Sequence, residues 1–283
     1  MINKQKLAEF KKYILLFSKK LRLHLRDTTI LRVSAALSYT TLLAVVPFIA
    51  IALAIFAAFP MFADVRLQVQ DFLIQNLVPD LGENVQQYMI GFVGAAAKLT
   101  TLGVAGLAVT AGLMLSTIES SFNFIFKVKK HRRLATKITL YWTILTLCPL
   151  ILGTAFSLKG YMLKLQYFNG ETAENIDFFV TTVVHNALIF AVLTLSYFIV
   201  PNRKVRLKSA LFGAAIAFVL MLILRFGFGY FLQLNVTYKT LYGAMASVPL
   251  ILVWMYSWWT VVLFGAVITA SLEELKRKRQ LWK

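Results

Sequence analysis

Residues 33–59, VSAALSYTTLLAVVPFIAIALAIFAAF, decide the fold. The stretch carries no charge and exceeds the roughly 20 apolar residues, each rising about 1.5 Å, that cross a hydrocarbon core. In lipid its backbone polar groups must be satisfied within the segment, so it must be a helix. It is not uniformly apolar. Ser34, Ser38 and Thr41 fall at i, i+4 and i+7 and share a face with Val45, and Pro47 interrupts the backbone ladder further along. A simple anchor needs none of these. Small hydroxyl residues can pack helices together or line a polar path, and both readings stay open.

Working outward, five further apolar stretches are expected to span, at about 99–126, 138–158, 179–200, 209–232 and 244–272. The fold class expected is all-α: a polytopic membrane protein of six transmembrane helices in one domain, residues 1–283. Of the 283 residues, 59% are hydrophobic and only 15% charged, with a mean hydropathy of +0.72. A soluble domain of this length carries more charge and shorter apolar runs.

The net charge of +18 raises the question of nucleic acid, and its distribution answers it. Of 30 Lys and Arg, 24 lie in four segments: nine in 1–32, six in 127–137, four in 202–208 and five in 273–283. The other connections hold seven acids, Asp64, Asp71, Asp80, Glu83, Glu171, Glu174 and Asp177. Short cytoplasmic loops collect Lys and Arg, so both termini are expected inside. The basic charge is then topological, with a pull toward anionic headgroups as the expected membrane-lipid partner. Nucleic acid is not expected as a partner; a homo-oligomer remains open.

Residues 4–26 place Leu7, Phe10, Ile14, Phe17 and Leu21 on one face among Lys and Arg, the pattern of a basic amphipathic helix in the inner headgroup layer. Segments 64–78 and 80–94, separated by Pro79, read as two short amphipathic helices in the first outside loop. The lone Cys148 excludes an intrachain disulfide. No cleavable signal is expected, because the first apolar run begins after 32 residues and is too long.

The sharpest internal feature lies in the second span. Gly112, Ser116, Glu119 and Asn123 are spaced 4, 3 and 4 apart and form one stripe. A central acidic residue costs about 2.5–3.5 kcal/mol on insertion scales, and Glu119, nearer the inner interface, is expected to cost less. The stripe must therefore face protein or water, as a polar path, a headgroup contact or structural glue. Arg225 in the fifth span can snorkel to headgroups or pair with an acid. His185 and Asn186 are a polar pair at the outer end of the fourth span. Pro47, Pro149 and Pro249 interrupt spans one, three and six, and broken helices are tolerated where protein or a water-filled cavity covers them. No GxxxxGK[ST], HExxH or paired CxxC occurs, and His24, His131 and His185 are scattered, so no catalytic residue, metal site or cofactor is expected.

Four blocks carry a resemblance: RVSAALSYTTLLAVVPFI (32–49), STIESSFNFIFKVKKHRR (116–133), FIVPNRKVRLKSALFGA (198–214) and YGAMASVPLILVWMYSWWTVVLFGAVI (242–268). In this order they resemble the YihY/BrkB family of bacterial inner-membrane proteins, once labelled ribonuclease BN. The resemblance implies six transmembrane helices with cytoplasmic ends and a role in envelope physiology. It supplies no catalytic residues, and the ribonuclease label is regarded as a misassignment. The function expected is a transporter or translocase, not ATP-driven by itself, for an amphipathic or anionic envelope compound such as a lipid. The alternative is a membrane scaffold that holds an envelope complex together.

Overall fold

A computed structural model describes residues 16–26, 28–58, 101–130, 132–147, 150, 182–183, 185–234 and 247–281, and these hold helices and no strand. In chain order they are α1 (16–26), α2 (Ile30–Ala58), α3 (Thr101–Ile125), α4 (Leu134–Leu147), α5 (His185–Ile199), α6 (Leu207–Leu234) and α7 (Ser247–Leu281). Four are long and apolar enough to cross a membrane, over Ile30–Ile51, Ala105–Ile125, Leu207–Leu232 and Pro249–Arg277. The shorter apolar helices Leu134–Leu147 and Asn186–Ile199 stand where the third and fourth spans are expected. The expected helices at 64–78 and 80–94 lie outside the described residues, as do Pro149 and the first three apolar positions of the amphipathic face.

Packing centres on α7, which contacts α2, α3, α5 and α6. The first span, prominent in sequence, is one of its neighbours. At 35 residues α7 is roughly 50 Å long, against a hydrocarbon core of about 30 Å, so it extends beyond that core. Residues 265–273 are buried without a break. Burial there follows from residue size. A Cβ on Gly265 would stand 2.7 Å from Ala217 Cβ and closer still to the Tyr197 hydroxyl. One on Gly213 would meet the Gly265 carbonyl oxygen at 2.7 Å and collide with the Thr269 hydroxyl. With Ala210, Ala214 and Ala217 fully buried beside them, α6 and α7 approach through small residues, as helices do where lipid offers no hydrophobic drive for association.

Tyr197, fully buried on α5, donates its hydroxyl to the Val262 carbonyl oxygen at 2.8 Å and ties α5 to α7. Trp259 Nε1 donates to Thr41 Oγ1 at 2.9 Å and ties α7 to α2. The ends of α3 and α1 are shaped by left-handed residues. Lys127 (φ 52°) follows α3, where Lys127 N bonds Phe124 O and Val128 N bonds Asn123 O, satisfying two terminal carbonyls. Thr29 (φ 41°) turns the chain from α1 into α2, a conformation a β-branched residue adopts at a cost. The corner is supported by Thr28 Oγ1, which donates to the His24 carbonyl oxygen at 2.7 Å.

The prolines behave differently from one another. Pro47 is buried inside α2, which continues to Ala58, so the missing N–H removes one rung without ending the helix. Pro249 lies in the first turn of α7 as described, where amides have no intrahelical partner, so it does not interrupt this helix.

Candidate functional site

The α3 stripe is where polar chemistry gathers. Helical periodicity stacks Ser116, Glu119 and Asn123 on one side of α3, and Glu119 is only 3% exposed. A carboxylate so placed must be solvated by the protein itself. Tyr141 Oη donates to Glu119 Oε2 at 2.6 Å, a short charge-assisted bond. Asn123 Nδ2 reaches Glu119 Oε1 at 3.5 Å, and Arg132 Nε stands 3.8 Å from the same oxygen.

Beyond Asn123 on α3 itself, the donors come from α4 and the turn before it. Lys137 and Tyr141 are one helical turn apart on α4. Lys137 Nζ donates to Ser116 Oγ at 2.7 Å and lies 5.6 Å from the Tyr141 ring centroid, a cation–π distance. Arg132 also donates to the Ile199 carbonyl oxygen at 3.1 Å, at the C-terminal end of α5, where positive charge suits the helix dipole. Asn123 Oδ1 accepts from the Asn202 backbone N–H at 2.7 Å, and Asn202 Nδ2 donates to the Lys130 carbonyl oxygen at 2.9 Å. One carboxylate thus ties together α3, α4 and the α5–α6 loop. Chemically the cluster can hold a negative charge inside an apolar span, exchange a proton through Tyr141, or bind a donor that displaces Tyr141.

Of the residues expected from sequence, Ser116, Glu119 and Asn123 meet in this cluster. Gly112, a turn earlier, is half-buried, and nothing lies within 4 Å of where its Cβ would be. The α2 hydroxyls do not join it by hydrogen bonds among the described residues. Ser38 donates to the Ala35 carbonyl oxygen at 2.8 Å, Thr41 accepts from Trp259, and Ser34 is fully buried with its Oγ unpartnered. Arg225 is exposed on α6 and has no ion pair among the described residues. Tyr141, Arg132, Lys137 and Asn202 were not expected. The Lys137–Tyr141 spacing on an otherwise apolar α4 was the available signal for the first helix partner.

Comparison with known proteins identifies the group. A family described as Virulence factor BrkB matches residues 22–283. The chain belongs to the YihY/BrkB family. It is 44% identical over 251 residues to a UPF0761 membrane protein of Rhodospirillum rubrum, covering 88% of this chain and 57% of that protein. A UPF0761 membrane protein of Photobacterium profundum is 36% identical over 247 residues, 86% of this chain and 76% of the relative. One from Aeromonas salmonicida is 36% identical over 243 residues, 85% and 83%. The chain spans little more than half the length of the two Rhodospirillum relatives, 57% and 54%. No solved structure matches. The residues that make the Glu119 cluster fall inside the BrkB-matched range.

Proposed function

We propose that this BrkB-family chain is an inner-membrane transporter or translocase, not ATP-driven by itself, for an amphipathic or anionic envelope compound. Six spans with both termini cytoplasmic are part of the reading, α4 and α5 being parts of the third and fourth. The observation that carries it is Glu119: a carboxylate 3% exposed within an apolar helix, beside Tyr141, Arg132 and Lys137. Ionisable residues inside spans are costly, and they mark substrate and ion paths more often than plain packing positions.

A second reading, a non-transporting scaffold of an envelope complex, has its own support. Gly213 and Gly265 leave no free space between α6 and α7, and Glu119 already has protein donors on both oxygens. Glu119→Gln separates the two. It keeps shape and most hydrogen bonding while removing the charge. Transport predicts a variant that folds with unchanged thermal stability in detergent yet fails to complement the envelope phenotype of a deletion strain. Full complementation by a stable Gln variant would defeat the transport role of Glu119.

A further inference from the structure

Next to the Glu119 cluster, whose Asn202 precedes Arg203 in the chain, the α5–α6 loop and the C-terminal end of α7 border an open cavity of about 380 Å³. It is lined by Arg203, Lys204, Arg206, Glu273 and Arg277. The volume lies in the range of small-molecule sites, about 300–1,000 Å³. Every described lining residue is charged, and four of the five are cations.

The walls are partly preorganised. Arg206 donates from both Nε and its backbone N–H to Glu273 Oε1, at 3.1 and 3.3 Å, so the one carboxylate is spent on one arginine. Arg203 Nη1 donates to the Phe126 carbonyl oxygen at 2.9 Å, which holds that guanidinium in place, and among the described residues its other donors are unspent. Lys204 and Arg277 are exposed, and among the described residues neither has a carboxylate within ion-pair distance. Among the described residues, three cations therefore face the cavity with no ion pair of their own. Packed together, they repel one another unless an anion joins them.

The position narrows the ligand. Leu207 opens one apolar span and Arg277 closes another, so the cavity lies where two spans leave the hydrocarbon, at headgroup level. Among the described lining residues none is aromatic or apolar, so the charged groups carry the recognition. Recognition must be of the anionic group itself. Arginine forks match phosphate oxygens bidentately, and lysine adds a point charge.

The geometry points to a phosphate-binding site between the α5–α6 loop and the end of α7, taking a group with two or more negative charges, a phosphomonoester or a diphosphate. Arg203 and Arg206 form its fixed wall, and Lys204 and Arg277 close on the ligand. The site does not depend on whether the chain transports or scaffolds, so its test is independent of Glu119.

The test uses the purified full chain in detergent and measures binding of dihexanoyl phosphatidic acid and, separately, inorganic pyrophosphate, at fixed ionic strength. The variant Lys204→Gln with Arg277→Gln removes two exposed cations from the cavity. The control, Lys129→Gln with Lys130→Gln, removes two exposed cations elsewhere on the same basic end. The cavity variant is expected to lose at least tenfold in affinity and the control less than twofold, with thermal stability of both near that of the parent. Binding of both probes identifies the phosphate group alone as the ligand, whereas binding of the short-chain lipid only identifies a headgroup as its source. Equal losses in the two variants would mean diffuse charge attraction and overturn the site. So would absence of binding by the parent protein.

Discussion

Glu119 and Glu273 are both buried carboxylates facing arginine, and they are treated in opposite ways. Glu119 lies within a span and gathers donors from three segments, chiefly the neutral Tyr141 hydroxyl and the Asn123 amide, with Arg132 held at 3.8 Å. Glu273 lies at a span end, and a single oxygen takes both contacts from one residue, Arg206. Inside the hydrocarbon no water can finish solvating a carboxylate, so the protein must. Near the end of α7 the acid anchors one cation, Arg206, and among the described residues Lys204 and Arg277 have no carboxylate partner. The difference teaches where to look for bound charge: Glu119 is nearly complete in itself, and the cavity beside Glu273 is short of anions.

The largest expected effect breaks the first half of that comparison. Glu119→Leu strands Tyr141, Asn123 and Arg132 without their acceptor, and removing one partner of a buried ionic group typically costs about 3–5 kcal/mol. Thermal denaturation in detergent should show a loss far larger than for Glu119→Gln, which leaves an acceptor in place. Equal behaviour of the two would mean that the cluster is more open to water than 3% exposure implies.

Next in size is the packing of α7, the helix that carries Glu273. Gly265→Ala forces a methyl against Ala217 and the Tyr197 hydroxyl, and overpacking of this kind costs about 1–3 kcal/mol. Gly112→Ala, on the Glu119 stripe, meets nothing within 4 Å and should gain roughly 0.5–1 kcal/mol through helix propensity. Opposite signs for the two glycines are the expected result, read as shifts in unfolding midpoint.

The smallest effect concerns a buried group of the other sign. His24, 2% exposed on α1, donates Nε2–H to the Ile125 carbonyl oxygen at 2.8 Å, with Ser271 Oγ 3.4 Å from Nδ1. Burial holds its pKa below the usual 6.5, opposed by the Ile125 carbonyl and Glu274 and assisted by Lys127 and Lys20. The unfolded chain therefore takes up a proton before the folded one does. The contribution of a neutral His24 to stability is full above about pH 6.5 and is lost as pH falls from there through the lowered value. Unfolding followed between pH 7.5 and 5 should show that loss in the parent and a flatter profile in His24→Gln.

Much of this was legible along the chain, for local reasons. A run of apolar residues dictates a helix because lipid leaves the backbone no other partner, and α2, α3, α6 and α7 stand where such runs predicted spans. A 4-3-4 spacing places residues on one side of a helix whatever surrounds it, so Ser116, Glu119 and Asn123 are legible as one stripe from spacing alone. The arrangement of helices was not legible. One apolar face resembles another, and lipid tails are as apolar as leucine, so hydropathy cannot say which face meets which helix. Only the folded chain brings Trp259 to Thr41, 218 residues away, or shows that Gly213 and Gly265 must both be small where α6 meets α7. It likewise decides that Tyr141 completes the Glu119 shell and that Arg203 and Arg277 line one cavity, because both depend on how helices rotate and cross, which no single segment contains.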